Sequence, residues 1–400
     1  MDNYGMFKKF SSDNHFVSFT KSVNSAICTE KTLKTLKRIT YKNIVYGHMG
    51  QLVIKDGICY ATFIQNKGSD GEEHYSESSE VVLAVFSLVS VSSDSFNPET
   101  DVTVLRIGGK GDSCAGKTAD SIYKDNSMCL IGDDIYICFS FITDDKVTRM
   151  FRVIYNIPTG SWKDETELKL KYKDNLYDFT DKTINMVYSD YNVEPRALGM
   201  IELVSAWSEY NGEYFATGIT SDQYNNGFDV KTADFKTIEL VEVLTFNDKG
   251  SAEIGSYIYR DRLYVACRQE YSLPYMLISY YDLKEKRWGE PYMIEDGNVR
   301  PWFFEYKNEL YLLNTADEHD RKFTNISRVR TLKTGIEFFD NNTPIDTVVT
   351  LGDCGSYYAV CNYEERLYFV STRDTVSFGE ICLDLKSPEE VNKRLAEFFS

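Results

Sequence analysis

The residues with the spacing of a known chemical site are a glycine-rich stretch, Gly111-Asp-Ser-Cys-Ala-Gly-Lys-Thr118. This stretch fits the phosphate-binding pattern in which backbone amides, a lysine and a threonine hold phosphates and Mg²⁺. Such a loop works at the N-terminus of a long helix, after a buried strand of a parallel sheet. Here the following residues, 119–126, are short and polar and lead into a strand pattern at Met128. The context therefore favours a flexible glycine-rich insertion over nucleotide binding.

Motifs for metal binding or nucleophilic catalysis are weaker still. No Cys-x-x-Cys or His-x-x-x-His pair occurs, and no Gly-x-Ser-x-Gly elbow is present. The four histidines are scattered over the chain: His15, His48, His74 and His319. The sequence therefore predicts neither a metal site nor a cofactor.

The charge of the chain is strongly negative but unevenly distributed. The 400 residues carry a net charge of −17, and a general affinity for nucleic acid needs a positive field, so nucleic-acid binding is not expected. Residues 1–45 contain eight Lys or Arg against three Asp or Glu. This segment is interpreted as a basic arm that docks on a neighbouring subunit or partner, with a solvated surface segment as the alternative.

Three features bear on where the protein is made. The first residues contain no apolar run typical of a secretory signal. No window approaches the ~20 apolar residues of a membrane span. Nine cysteines is an odd number, and several lie inside apolar runs as small core residues do. We therefore expect cytoplasmic synthesis without a signal peptide, which leaves later incorporation into a virus particle open.

Strand–turn–strand units recur through the chain and must position any site. The clearest one is Arg300–Asn314, with a polar turn at Lys307-Asn308 between two apolar strands. Turn residues such as Asp-Gly and Asn-Gly adopt positive φ easily and are typical of tight hairpins. The other units are Gln51–Phe63, Ser127–Phe139, Leu203–Ala216, Ser256–Ala266 and Tyr357–Val370.

A third and a fourth strand follow several of these hairpins. Four strands per unit at a period of ~40–50 residues are typical of a β-propeller blade. We predict an all-β propeller of six blades, with five as the alternative, over residues 46–386. Insertions are expected at Gln65–Glu80, Ser90–Ala119 and Lys163–Tyr191.

The two ends of the chain are predicted separately. The alternation at His15–Val23 indicates a strand within residues 1–45 that completes the last blade, and Thr29–Arg38 fits a short basic helix. Ser387–Phe399 has an N-cap serine, a proline at the first helical position and one apolar face. A short C-terminal helix is therefore predicted within residues 387–400.

The turns after the third strands resemble those of sialidase-like propellers and their carbohydrate-active relatives. The resemblance lies in Tyr281-Asp-Leu-Lys-Glu-Lys-Arg-Trp288 and, more weakly, in Tyr155-Asn-Ile-Pro-Thr-Gly-Ser-Trp162. The Asp-box of that family is not intact here, and its Arg-Ile-Pro triplet is absent. The resemblance therefore implies the fold more directly than the activity.

For a glycosidase of this kind, two or three carboxylates near the propeller axis are needed. The candidates on predicted inner strands are Asp120, Glu194, Glu202, Glu305 and Asp353. A sialidase-like site would add three arginines that clamp a substrate carboxylate, for which Arg196, Arg268 and Arg300 are the candidates. Trp302 could stack on a ligand, with packing between blades as the alternative.

Two functions follow as expectations. The first is a non-enzymatic recognition or assembly platform for a glycan or protein partner, as a virion or host-attachment component, with a homo-oligomer or larger assembly open. The alternative is a glycoside hydrolase of the sialidase-like or furanosidase-like type. Two carboxylates ~5–10 Å apart in the central cleft would discriminate the enzyme from the platform.

Overall fold

The structure, a computed structural model, describes most of the chain between residues 33 and 383. The described ranges are 33–67, 78–121, 124–193, 200–221, 226–244, 251–269, 275–295, 299–315, 324–329, 331–332, 335–336, 345–351 and 355–383. The predicted strand at 15–23 and the predicted helix at 387–399 lie outside these ranges, as do the candidates Glu194, Arg196 and Asp353.

The described part of the chain begins with strand β1, and the sheets of blades 1 and 2 follow. Strand β1 is Leu33–Arg38, and blade 1 follows as β2 (Tyr46–Lys55), β3 (Ile58–Asn66), β4 (Ser79–Ser87) and β5 (Val102–Gly109), with the helices α1 (Leu88–Val91) and α2 (Pro98–Asp101) before β5. A small hairpin comes next, made of β6 (Ser113–Cys114) and β7 (Lys117–Thr118). Blade 2 contains β8 (Lys124–Ile131), β9 (Asp134–Ile142), β10 (Thr148–Asn156) and β11 (Ser161–Glu167).

An inserted hairpin and helix separate blade 2 from blade 3. They are β12 (Lys169–Tyr172), β13 (Asn175–Asp178) and α3 (Asp181–Asp190). Blade 3 contains β14 (Met200–Leu203), β15 (Ser208–Tyr210), β16 (Glu213–Ser221), β17 (Gly227–Thr232) and β18 (Thr237–Val243). Blade 4 contains β19 (Ser251–Tyr259), β20 (Arg262–Gln269), β21 (Tyr275–Asp282), β22 (Arg287–Trp288) and β23 (Tyr292–Glu295).

The sheets of blades 5 and 6 complete the propeller. Blade 5 contains β24 (Trp302–Tyr306), β25 (Glu309–Thr315), β26 (Thr324–Val329) and, after the two-residue strands β27 (Thr331–Leu332) and β28 (Gly335–Ile336), β29 (Ile345–Leu351). Blade 6 contains β30 (Ser356–Tyr363), β31 (Arg366–Arg373) and β32 (Thr375–Ile381). The prediction of an all-β propeller is confirmed.

Five of the sheets have the four or five strands of a regular blade, and the sixth is enlarged. In the enlarged sheet, β14 and β15 both pair with β16, so that they share the position of one interrupted strand. The hairpin β12–β13 then adds to the outer edge through a parallel pairing of β12 with β18. Within the predicted insertion Lys163–Tyr191, the hairpin β12–β13 thus widens blade 3, whereas residues 163–167 belong to the outer strand β11 of blade 2.

All six predicted hairpins form, each across a two-residue turn. Both turn residues have positive φ at Asp56-Gly57 (50° and 73°), Asn211-Gly212 (54° and 80°) and Lys307-Asn308 (49° and 61°). Turns of this type have the twist that joins two antiparallel strands without splaying them. Lys307-Asn308 adopts the same geometry without a glycine.

The sheets are arranged in a ring that is closed by the two ends of the described chain. The first strand of each blade contacts the next blade, and β30 of blade 6 contacts β2 of blade 1. Strand β1 pairs with β32 and forms the outer edge of blade 6, with Arg38 opposite Ser377. The helix predicted at Thr29–Arg38 was therefore wrong, because Leu33–Arg38 gains ladder hydrogen bonds on an otherwise open sheet edge.

The helix α3 was not predicted from the sequence. Its cap is Thr180, whose side-chain oxygen accepts a hydrogen bond from the backbone amide of Thr183 at 3.2 Å. Ile184, Val187 and Tyr188 lie on its buried face and join the core between blades 2 and 3. Among the described residues, no helix has the length and apolar content that a membrane crossing requires.

The glycine-rich stretch is a hairpin and not a phosphate-binding loop. Ser113 pairs with Thr118 and Cys114 with Lys117, across a turn in which Ala115 and Gly116 have φ of 48° and 74°. Strand β8 follows, instead of the helix whose N-terminus would face a phosphate. The preference for an insertion over a nucleotide site is thus supported by the backbone itself.

Candidate functional site

The first strands of four blades are irregular at the same end of the propeller. We call this end the leading face, because the first strand of every blade begins there. The pairing register shifts between His48 and Gln51 in β2, and equivalent shifts occur in β8 (124/127), β19 (251/254) and β30 (356/359). Such β-bulges redirect side chains and are frequent beside binding sites. The leading face is therefore the candidate functional site.

Two of these bulges hold non-glycine residues in the left-handed region. Met49 has φ of 54° and Tyr357 has φ of 53°. A conformation of this kind costs of order 1–3 kcal/mol and persists where the surroundings determine it. Both side chains pack with Val299 in a small buried cluster, and the Tyr357 ring lies 4.2 Å from the ring of His48. This axial cluster joins blades 1, 5 and 6 at the leading face.

Arg300 is buried beside the axial cluster and is 1% exposed. Its Nη2 donates a hydrogen bond of 3.0 Å to the carbonyl oxygen of Gly50, and its guanidinium lies 5.2 Å from the ring centre of Trp302. Because Gly50 belongs to blade 1 and Arg300 leads into blade 5, the bond spans the inner edge of blade 6. Arg300 thus ties two blades that are not neighbours.

Trp302 is part of the core and is 4% exposed. Its Nε1 donates to the carbonyl oxygen of Val360 in blade 6 at 3.3 Å. The two predicted ligand-binding residues Arg300 and Trp302 are therefore brought together. Their contacts, however, are the packing between blades that was the alternative for Trp302.

Arg268 lies on β20 and is ion-paired with Glu253 of the adjacent strand β19. The distance between Nη1 of the arginine and Oε2 of the glutamate is 2.9 Å, and both side chains are about nine-tenths buried. Glu253 was not among the predicted residues. Its position could have been found by counting back from the Arg260–Asp261 turn, since the regular register of that hairpin pairs Ile254 with Cys267 and so brings residue 253 next to residue 268.

Glu202 is the buried carboxylate of the predicted set. It lies on β14, near the leading face, and is 3% exposed. Its Oε1 has no hydrogen-bond partner among the residues that the structure describes. A buried carboxylate oxygen without a partner is costly, so this atom needs a functional or structural explanation.

The two remaining candidates lie apart from these residues. Asp120 is exposed in the loop before β8 and forms an ion pair with Lys146, which lowers the pKa of the aspartate. Glu305 is near the opposite end of β24, one residue before the last, and its carbonyl oxygen accepts a bond from Asn362. Burial, with the nearby charge of Glu305, raises the pKa of Tyr257 to about 12.

The described residues at this site do not form a metal centre. Nowhere in the described ranges do three His, Cys, Asp or Glu side chains lie together as metal ligands. What the leading face offers is a set of buried polar groups, in which Arg268 is ion-paired with Glu253 and Arg300 donates to the Gly50 carbonyl oxygen. The side chains at the bulges, Met49 and Tyr357, carried no signal in the sequence, since a bulge depends on contacts between blades.

Comparisons with known proteins extend only to the fold. The protein-family models and the curated proteins that were compared with the sequence give no match. Among solved structures, a protein of unknown function from Dyadobacter fermentans is similar with a TM-score of 0.59 at 12% identity, over 88% of this chain and 100% of the other. Trypanosoma rangeli sialidase is similar with a TM-score of 0.56 at 11% identity, over 92% of this chain. The match spans 60% of that sialidase. The chain thus has a propeller fold that resembles that of sialidases.

Proposed function

We propose that this protein is a non-enzymatic recognition platform that binds a glycan or protein partner at its leading face. The observation that carries the proposal is that both described arginines of the predicted clamp, Arg268 and Arg300, bind groups of the protein itself. A sialidase-like site needs those guanidinium groups for the carboxylate of its substrate.

The pairing of Arg268 makes a competing carboxylate unfavourable. Nη1 of Arg268 is already bound to Glu253, which is 8% exposed, so a ligand carboxylate at this guanidinium would compete with Glu253. A buried charge that loses its partner costs about 3–5 kcal/mol. Arg300 is 1% exposed, and its Nη2 already donates to the carbonyl oxygen of Gly50 in another blade. The polar groups of the leading face therefore suit recognition by hydroxyls and amides better than a clamp for an acid.

The setting of this platform is proposed from the charge of the chain. Residues 1–45 are basic, whereas the whole chain carries a net charge of −17. A segment of this kind can dock on an acidic neighbouring subunit, which would place the propeller in a homo-oligomer or larger assembly such as a virus particle or host-attachment apparatus. Analytical ultracentrifugation of the full chain and of a variant without residues 1–32 tests the role of this segment.

A glycoside hydrolase is the second candidate, and Glu202 is the residue that favours it. Glu202 is 3% exposed and its Oε1 has no hydrogen-bond partner among the described residues, which makes it the candidate for one of the two carboxyl groups that glycoside hydrolysis uses. Its partner carboxylate would have to lie ~5–10 Å away. The likeness to sialidases supports the fold of such an enzyme and not its activity.

One experiment separates the two candidates. The wild-type protein is applied to a glycan array and, in parallel, to a panel of chromogenic glycosides, with Glu202→Gln as the variant of matched size. Binding without release of chromophore, unchanged by Glu202→Gln, supports the platform. Turnover that is lost in Glu202→Gln would replace the platform with the hydrolase.

A further inference from the structure

An open cavity of about 320 Å³ lies on the outer strands of blades 1 and 2, away from the leading-face residues. Arg106 of β5 lines one side, and residues 162–165 of β11 line the other. Ile107 and Val153 contribute apolar surface. Its volume falls in the range of small-ligand sites.

Trp162 is the exposed aromatic residue of this cavity. It is 40% exposed, whereas Trp207 and Trp302 are 8% and 4% exposed. Its ring contacts the ring of Tyr155 edge-on, with centroids 5.3 Å apart. Tyr155 is itself buried in the core between blades 1 and 2, so the indole is held from one side and open on another. An indole face in this position can stack on a flat apolar surface of a ligand.

The polar side chains around Trp162 carry both signs and are held in place. Arg106 is ion-paired with Glu80 and Asp112 at 2.8 and 2.7 Å, and Lys163 with Asp134 at 2.8 Å.

On the acidic side, Asp164 accepts from the fully buried Arg152 at 2.9 Å. Glu165 accepts from the backbone amide of Ala115, in the β6–β7 hairpin, at 3.0 Å. Each of these groups is thus already bound to an opposite charge or, for Glu165, to a backbone amide.

We propose that this cavity binds a neutral saccharide whose ring stacks on Trp162. A sugar ring has an apolar face for the indole and hydroxyl groups that both donate and accept hydrogen bonds. Two cationic and two anionic side chains match hydroxyls of both kinds. A charged ligand would gain little, because every charged lining group already has a partner of opposite charge or a backbone donor.

The fold supplies a matched control in Trp288. Tyr281 and Trp288 are spaced as Tyr155 and Trp162 are, their rings contact edge-on at 5.4 Å, and they occupy the same turn of blade 4. Asp282 accepts hydrogen bonds from the backbone amides of Lys284 and Glu285, and Asn156 accepts one from the amide of Thr159 at the corresponding place in blade 2. Trp288 is half-buried and packs on the core between blades 3 and 4.

The test uses the full-length protein and an array of neutral cello-, chito-, malto- and galacto-oligosaccharides, followed by a fluorescence titration with the trisaccharide that binds best. We expect Trp162→Ala to weaken binding of that trisaccharide at least about tenfold. Trp288→Ala should change it less than about twofold, although it removes the same side chain. Lys163→Gln, a substitution of an exposed residue, should weaken binding without changing the melting temperature.

Two outcomes would overturn the proposal. They are the absence of binding to any neutral oligosaccharide at millimolar concentration, and equal losses in Trp162→Ala and Trp288→Ala. The cavity is independent of the proposed function. A ligand of the leading face should bind Trp162→Ala as tightly as wild type, so the two proposals fail separately.

Discussion

Asp229 provides the most quantitative test of the packing of this propeller. It lies on β17, is 0% exposed, and accepts a bond of 2.5 Å from the Thr217 hydroxyl, whereas its Oδ2 has no hydrogen-bond partner in the described residues. Burial, together with the charge of the cross-strand Glu242, raises the pKa of Asp229 to about 8. The folded protein therefore holds a proton there at neutral pH that the unfolded chain has released.

The sign of the pH dependence follows from this difference. Because the folded state binds more protons than the unfolded state between pH ~4 and ~8, the free energy of unfolding falls as pH rises through this window. The slope approaches about 1.4 kcal/mol per pH unit, so wild type should lose about 3–4 kcal/mol from this group between pH 5 and pH 8. Asp229→Asn keeps an acceptor for Thr217 but cannot ionise, and this contribution should disappear.

The assay is urea unfolding of wild type and Asp229→Asn at pH 5, 6, 7 and 8. The expected result is two curves that diverge with pH, the variant becoming the more stable protein towards pH 8. Glu242→Gln is the control, because removing its charge should lower the pKa of Asp229 and flatten the wild-type slope in part. Parallel pH curves for wild type and Asp229→Asn would refute the protonated state of Asp229.

Three further predictions concern other parts of the molecule. Glu253→Gln should destabilise the protein by about 3 kcal/mol because it leaves Arg268 buried without its charge partner, and the double variant with Arg268→Met should recover most of this loss in urea unfolding. Deletion of residues 1–38 should lower the melting temperature more than deletion of residues 1–25, since only the longer deletion removes β1 from blade 6; equal melting temperatures would contradict closure by β1. Mg-ATP should leave the melting temperatures of wild type and Lys117→Ala unchanged, because the glycine-rich stretch is a hairpin, and a shift confined to wild type would oppose this.

The repeating hairpins could be predicted because their signal is local. Two turn residues that tolerate positive φ between two apolar runs determine a hairpin with little help from the rest of the chain. Lys307-Asn308 shows that even a turn without glycine could be recognised from its flanks. The edge strand Leu33–Arg38 could not be recognised, because its partner β32 is more than 330 residues away in sequence.

The candidate site was predictable only in part, for a related reason. Arg268 and Arg300 were found because they fall at or near predicted inner strands in successive units. The partner of Arg300 was not, since Gly50 contacts Arg300 only after the ring has closed.

The same two arginines illustrate why residue type alone does not decide function in a propeller. A guanidinium near the axis can hold the carboxylate of a ligand, or it can bind a carboxylate or carbonyl of another strand. The position of the arginine in the sequence does not distinguish these two cases. They differ in whether the closed ring already supplies an acceptor for the guanidinium. Here Glu253 binds Nη1 of Arg268 and the Gly50 carbonyl oxygen binds Nη2 of Arg300, so each arginine already joins two strands of the ring.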